Sequence, residues 1–381
     1  MSVLIAIIVF GCVVLVHEWG HFMAARRCGI LVEEFAIGLG PKLFSVQIGE
    51  TLYSIRMLPL GGFCQMLGDD ADALADRNIG LDEKDQIPYE RTLGSKTILQ
   101  RMSVMFAGSF MNFVLAFLIF AVLVGAFGFR TTTIRHVGSN TPVEAAGLAP
   151  GDRITSINGY RIHIFEDLQF EVMSTQGRPL DIVFMRDGQR HNVVITPAHM
   201  EGRYIIGINP DVRFGLFTSP PEGFQSANIG EVITAGFFRV NHVIRTIFLM
   251  LIRMATGQTD IGGFAGPIGI VGMIGSQYEA VIREAAAAAA AAQVEISRAE
   301  IFLTIVVNMA NLTALISANL AIINLFPLPA LDGGRLVFLT LEAIRRKPIP
   351  PEREGSVHFA GFVVLMILAV YIAYQDILNL L

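Results

Sequence analysis

Hydrophobic side chains fall into four long blocks: Met1–Ala25, Met102 to about Phe127, Ile301 to about Phe326 and Phe359 to about Ile377. A helix needs about 20 apolar residues to cross the hydrocarbon layer, and each block comes close to or exceeds that. A fifth stretch, Ile229–Met254, is nearly as apolar, but Glu231, Arg239, Asn241, His242, Arg245 and Arg253 interrupt it. Charges spaced this way suit an amphipathic helix lying at the interface. Arg26 and Arg27 follow the first block, and Arg345, Arg346, Lys347 and Arg353 separate the last two, which places both clusters in the cytoplasm. No basic residue precedes the first block, so a retained span is expected and not a cleaved signal. Four spans follow, with residues 131–214 outside.

Between the blocks the pattern changes. Val32, Phe35 and Ile37, then Leu43, Phe44, Val46 and Ile48, then Tyr53, Ile55 and Met57 alternate with polar or small residues around Gly49-Glu50. This predicts a β-hairpin or small sheet lying against the membrane. An edge strand there suits pairing with an extended peptide, and a membrane-associated hairpin without that role fits the pattern equally. The segment closes on Leu60-Gly61-Gly62-Phe63, where paired glycines admit a close backbone approach. Residues 69–92 are acidic and read as a solvated cytoplasmic loop.

From Thr131 to about Phe214 the chain is soluble-like. The spacing predicts a short helix ending near Gly147, a strand at 154–157, and an Asn158-Gly159 turn into Arg161-Ile162. A helix over 165–174 and strands at 180–186 and 189–197 around Asp187-Gly188 follow. Gly262–Gly269 reads as a loop or re-entrant turn, and the Ala285–Ala292 run is helix-forming but chemically uninformative.

Composition agrees with a multispanning protein. The 381 residues are 53% hydrophobic and 16% charged, with a mean hydropathy of +0.56, outside the range of ordinary soluble domains. A net charge of -5 leaves no nucleic-acid footprint. Cys12, Cys28 and Cys64 have neither a paired framework nor metal-ligand spacing.

Two histidines and a glutamate inside a span change the picture. His17-Glu18-Trp19-Gly20-His21 puts two imidazoles four residues apart on nearly one helix face, where both can reach one metal ion. Glu18 lies beside them as a base for a water molecule. Buried core histidines are the bland alternative, but ionisable groups in hydrocarbon seldom occur without a function. A catalytic zinc takes three protein ligands, and the best third candidate is Asp332 in Asn324-Leu325-Phe326-Pro327-Leu328-Pro329-Ala330-Leu331-Asp332-Gly333-Gly334. A helix-capping aspartate is the ordinary alternative. Asp332 meets the histidines only if the Ile301 span runs inward, which requires that 229–254 not cross alone. In the second block, Asn112 offers a donor for a substrate carbonyl or oxyanion, with an interhelical hydrogen bond as the alternative.

With HEWGH, Ala107-Gly108-x-x-x-Asn112 and the Asn324–Gly334 motif in order, the chain resembles the site-2 protease family of intramembrane zinc metalloproteases. Within it, the chain is similar to the bacterial sigma-factor-regulating (RseP-type) branch. The 131–214 pattern resembles a PDZ domain of the bacterial membrane-protease type. The resemblance implies Zn²⁺ held by His17, His21 and Asp332, with Glu18 as catalytic base. Candidates for substrate contact are Asn112, Asn324, Gly61, Gly62, Pro327 and Pro329. It implies a membrane α-helical fold: four transmembrane helices, a membrane-associated β-hairpin and an inserted α+β PDZ domain. The expected divisions are 1–127, 128–214 for the PDZ domain, 215–299 for the interfacial helix and linker, and 300–381.

Implied partners are single-pass transmembrane substrates such as anti-sigma factors or signal-peptide remnants, peptide C-termini at the PDZ groove, and the lipid bilayer. The implied location is a bacterial plasma membrane, with the active site toward the cytoplasm. Two features depart from the family. One PDZ domain fits where many members carry two, and Ser109 stands where members often have proline. A membrane scaffold with a structural zinc site remains as the alternative function.

Overall fold

The computed structural model describes residues 2–68, 88–200, 202–257, 297–347 and 349–380, with isolated positions between 272 and 283. Most of the acidic stretch, the Gly262–Gly269 turn and the Ala285–Ala292 run lie outside the described residues. The chain opens with helix α1 (Ser2–Arg27), strands β1 (Val32–Ile48) and β2 (Thr51–Met66), and helix α2 (Ile98–Phe127). Next come β3 (Phe129–Val137), α3 (Pro142–Ala145), β4 (Arg153–Ile157), β5 (Tyr160–Arg161), α4 (Phe165–Ser174), β6 (Leu180–Arg186) and β7 (Gln189–Ile195). Short strands β8 (Ala198–Met200) and β9 (Arg203–Ile205) precede β10 (Ile208–Phe214) and β11 (Gln225–Ser226). Four helices complete the described chain: α5 (Ile229–Ala255), α6 (Arg298–Asn324), α7 (Asp332–Arg345) and α8 (Pro351–Leu380). Two compact units result, residues 1–116 with 247–381, and residues 117–246.

In the first unit, β1 and β2 pair antiparallel around Gly49-Glu50, with Ile48 opposite Thr51. The ladder folds back on itself: residues 34–37 pair with 62–65 on one side and with 52–55 on the other, so the short runs read from the sequence lie side by side as a small sheet. Its root is buried, where Phe22 of α1, Val32, Phe35, Cys64 and Met66 pack with Val104 of α2 and Leu339 of α7. Its distal half is exposed and apolar, with Phe44 at 74% and Ile48 at 62%. Glu34 is neutralised inside the hairpin by Arg56 at 2.8 Å and Lys42 at 3.1 Å.

Among the described residues, five helical segments are long and apolar enough to cross a membrane: Leu4–Arg27, Ile98–Phe127, Ile229–Met254, Arg298–Asn324 and Arg353–Gln375. Four of these correspond to the expected spans, and the fifth is the stretch assigned to the interface from its charges.

The second unit is built on a seven-stranded sheet, order β11-β10-β3-β4-β6-β7, with β5 paired to β4. Alternating apolar positions make its core: Ile134, Ile154, Ile157, Leu180 and Ile182 are at most 1% exposed. Phe165, Leu168 and Val172 of α4 close over them. The Gly151-Asp152 turn is fixed by a two-pronged ion pair from Arg186 to Asp152, at 2.7 and 2.6 Å. Burial pushes the Asp152 carboxyl up, but Arg186 and the Ala149 N–H outweigh it and hold the group below its ordinary 3.8.

Three of the polar residues interrupting Ile229–Met254 have partners on α4. Arg239 pairs with Glu166 at 3.1 Å, His242 with Asp167 at 2.8 Å, and Arg245 with Glu171. The Arg245 guanidinium also lies over the Tyr160 ring, and His163 stacks on Phe238 at 3.8 Å.

Candidate metal centre

The helical repeat of α1 sets His17 and His21 one above the other, both 6% exposed. Two glycines let α2 approach that face. A Cβ on Gly20 would lie 2.4 Å from the Ala107 carbonyl oxygen, and one on Gly108 would lie 2.4 Å from His21 Nε2. The third component arrives on the turn after α6. Leu325–Leu331 is irregular, and α7 begins at Asp332. Gly333 and Gly334 are buried against that turn, where a Cβ would meet the Phe326 oxygen at 2.1 Å and the Leu328 oxygen at 2.4 Å. Arg101 of α2 pairs with Glu342 of α7 at 3.0 Å and ties the helix behind Asp332 to the same bundle.

Across this framework, His17 Nε2 lies 3.1 Å from His21 Nε2, and Asp332 Oδ2 lies 3.2 and 3.3 Å from the two. Among the described residues these form the one group of three side chains placed to share a metal ion. The Val104 carbonyl, 2.8 Å from His21 Nδ1, can only accept, so Nδ1 carries the proton and Nε2 a lone pair. Asp332 Oδ2 is buried with no hydrogen-bond donor of its own. A buried carboxylate oxygen facing the His21 lone pair, with a second imidazole nitrogen beside it, suits a shared cation. The spacing fits zinc: donors about 2.0–2.1 Å from a tetrahedral ion stand about 3.3–3.4 Å apart. Three protein donors leave one position open, the pattern of a catalytic site.

The other expected residues distribute unevenly. Glu18 neighbours the cluster and accepts a hydrogen bond from the Cys64 backbone of β2. Gly62 abuts it, with a Cβ position 3.6 Å from Glu18 Cγ, whereas Gly61 faces Leu39 of the hairpin. Asn112 is fully buried, its amide nitrogen 3.4 Å from His17 Nδ1. Asn324 Nδ2 lies 3.3 Å from His17 Nε2. Pro327 is exposed on the turn, and Pro329 packs against Gly361 of α8.

Sequence reasoning missed three contributors: the Val104 carbonyl, the Cys64 N–H and Ser317. The Ser317 hydroxyl donates to the Asn112 backbone carbonyl at 2.8 Å and joins α6 to α2. Gly108 was legible as a small packing residue in an apolar span, but its place against the histidines was not.

Residues 5–368 match peptidase family M50. A putative zinc metalloprotease of Clostridium perfringens is 35% identical over 383 residues, covering 99% of each chain. The zinc metalloprotease RasP of Oceanobacillus iheyensis is 32% identical over 449 residues, covering 100% of this chain and 99% of the relative. The regulator of sigma-W protease RasP of Bacillus subtilis is 30% identical over 450 residues, with the same coverage. Among solved structures, the PDZ domain of an SdrC-like protein from Listeria monocytogenes is 20% identical over 22% of this chain and 86% of that chain, with a TM-score of 0.19. The full-length match and the relatives' shared description agree with the donor set: the chain belongs to peptidase family M50 and is a zinc metalloprotease with membrane-spanning helices.

Proposed function

We propose that the protein is an intramembrane endopeptidase that cleaves transmembrane segments of single-pass membrane proteins. The observation that carries this reading is the convergence of His17, His21 and Asp332 donors to 3.1–3.3 Å among apolar helices. His17, His21 and Asp332 would hold a zinc ion, whose chemistry when bound would be to acidify a water molecule and polarise the scissile carbonyl. Glu18 takes the proton of the attacking water and returns it to the leaving amine. Its hydrogen bond to the Cys64 backbone fixes the carboxylate for that transfer.

Asn112 serves the histidine more directly than the substrate. To ligate a metal, His17 Nε2 would offer its lone pair, so Nδ1 would hold the proton and need an acceptor. Turning the Asn112 amide by 180° brings its oxygen, which lacks a buried partner, onto that proton. Asn324, half-buried at the mouth of the turn, remains the candidate for aligning a substrate carbonyl. Pro327, Pro329 and Gly61 complete the proposed path.

A helical substrate must unwind before its carbonyl is accessible. The β1–β2 hairpin has two open edges, and unpaired backbone is costly in hydrocarbon, so a substrate strand added there satisfies both chains. Four spans with α5 at the interface agree with the ion pairs that tie residues 239–245 to α4. Positive-inside charge supports a centre toward the cytoplasm of a bacterial plasma membrane, with the 128–214 PDZ module outside. The B. subtilis relative's description as a regulator of sigma-W points to anti-sigma factors among the substrates; signal-peptide remnants are of the same single-span class.

The test compares purified wild type, wild type with chelator, and Glu18→Gln on a single-pass substrate in lipid. Glu18→Gln should keep its zinc and lose turnover by about 10²–10⁴-fold. Turnover within tenfold of wild type would remove Glu18 from this role.

A further inference from the structure

We propose that His358 of α8 is a positioning residue for the Asp332 carboxylate, an inference that rests on the zinc reading above. The Ala330 backbone N–H donates to His358 Nδ1 at 2.8 Å. A backbone amide only donates, so Nδ1 carries the lone pair and the ring proton sits on Nε2. That nitrogen faces Glu354 Oε1, one helical turn earlier, at 3.8 Å, a carboxylate that favours this tautomer.

Ala330 itself stands in the left-handed backbone region, φ +73°, which residues bearing a Cβ avoid. Such a conformation persists only where the surroundings over-determine it. Here α8 supplies two constraints from one face. His358 holds the Ala330 N–H, and Gly361 receives Pro329 so closely that a Cβ there would lie 2.2 Å from Pro329 Cβ. Phe338 of α7 flanks the same imidazole, ring centroids 5.4 Å apart. Two residues beyond Ala330 the chain enters α7 at Asp332, so the peptide planes of 330–331 set where that carboxylate points. Without an acceptor the Ala330 N–H loses the partner that holds its peptide plane. The residue then relaxes to negative φ, and the turn carries Asp332 off the histidine pair. His358 acts through Ala330 and not by contact with the donor atoms.

The experiment uses the full chain in detergent, with zinc retained after a fixed chelator challenge, kcat and KM on a single-pass substrate, and helix content as readouts. His358→Ala should lose zinc on the order of tenfold faster and lower kcat with little change in KM, at unchanged helix content. His358→Gln, which keeps a carbonyl acceptor, should recover most of the retention. Ala330→Gly added to His358→Ala should also recover it in part, because glycine occupies φ +73° without the Cβ penalty. A helix-packing role for His358 would not respond to a glycine on the turn. Wild-type zinc retention in His358→Ala, or a loss that neither the glutamine substitution nor the added glycine repairs, overturns the proposal. A wild-type chain that holds no zinc in the same assay overturns the site reading itself.

Discussion

Gly108 sets the α2 backbone against the histidine pair, and its missing side chain leaves space where the three candidate donors converge. A Cβ there would stand 2.4 Å from His21 Nε2 and 2.8 Å from His17 Cε1, inside the space where the donors converge. Gly108→Ala should therefore reduce zinc affinity by about tenfold or more, while Gly125→Ala on the same helix, whose nearest neighbour would be Leu216 at an ordinary 3.4 Å, should not. Zinc content after gel filtration, with helix content as a control, checks both; equal zinc in the two variants would contradict the crossing. The donors themselves were legible in the sequence, because an i,i+4 histidine pair and a carboxylate between Pro327-x-Pro329 and Gly333-Gly334 are side-chain patterns. Val104 and Cys64 were not, since they act through backbone groups that any residue provides. Asn112 was visible as a polar residue in a span, but only its contact with His17 shows which neighbour it serves.

At the scale of elements, the hairpin and α5 show how burial and pairing decide what alternation alone leaves open. Phe44, Ile48, Ile55 and Met57 are at least half exposed on a small sheet, a surface that in water would invite aggregation. Lipid is the environment that suits it. In a Trp19→Phe background, which removes the sequence's single tryptophan, Phe44→Trp should fluoresce with quenching by brominated acyl chains. Quenching by aqueous iodide instead would place the hairpin in solvent. The turn at Gly49-Glu50 was readable from residue types. The double pairing of residues 34–37, with 52–55 on one side and 62–65 on the other, was not, because no local pattern shows which short runs lie side by side. On α5, Arg239, His242 and Arg245 looked like charges seeking water or headgroups. Their acidic partners on α4 lie 73–75 positions away, a separation that no local pattern reveals.

The whole molecule joins two units with different chemistry, and they should respond differently to pH. Asp152 is held below its ordinary value by Arg186, so its charged form stabilises the 117–246 unit. With the folded value depressed, that contribution is complete above the unfolded value of about 4 and disappears as pH falls through the folded one. Calorimetry of the full chain should show Asp152→Asn melting several degrees below wild type from pH 7 to 5, with the gap closing below about pH 4. A gap that persists unchanged to pH 3 would contradict the ion pair's role. In the other unit, residues more than three hundred positions apart are placed to share one metal ion among apolar helices. X-ray absorption at the zinc edge of the purified protein tests it most directly. The account predicts one zinc per chain with a nitrogen and oxygen first shell at about 2.0–2.1 Å, the outer-shell signature of two imidazoles, and loss of bound zinc in Asp332→Ala. A sulfur shell near 2.3 Å, or full zinc occupancy in Asp332→Ala, would contradict it.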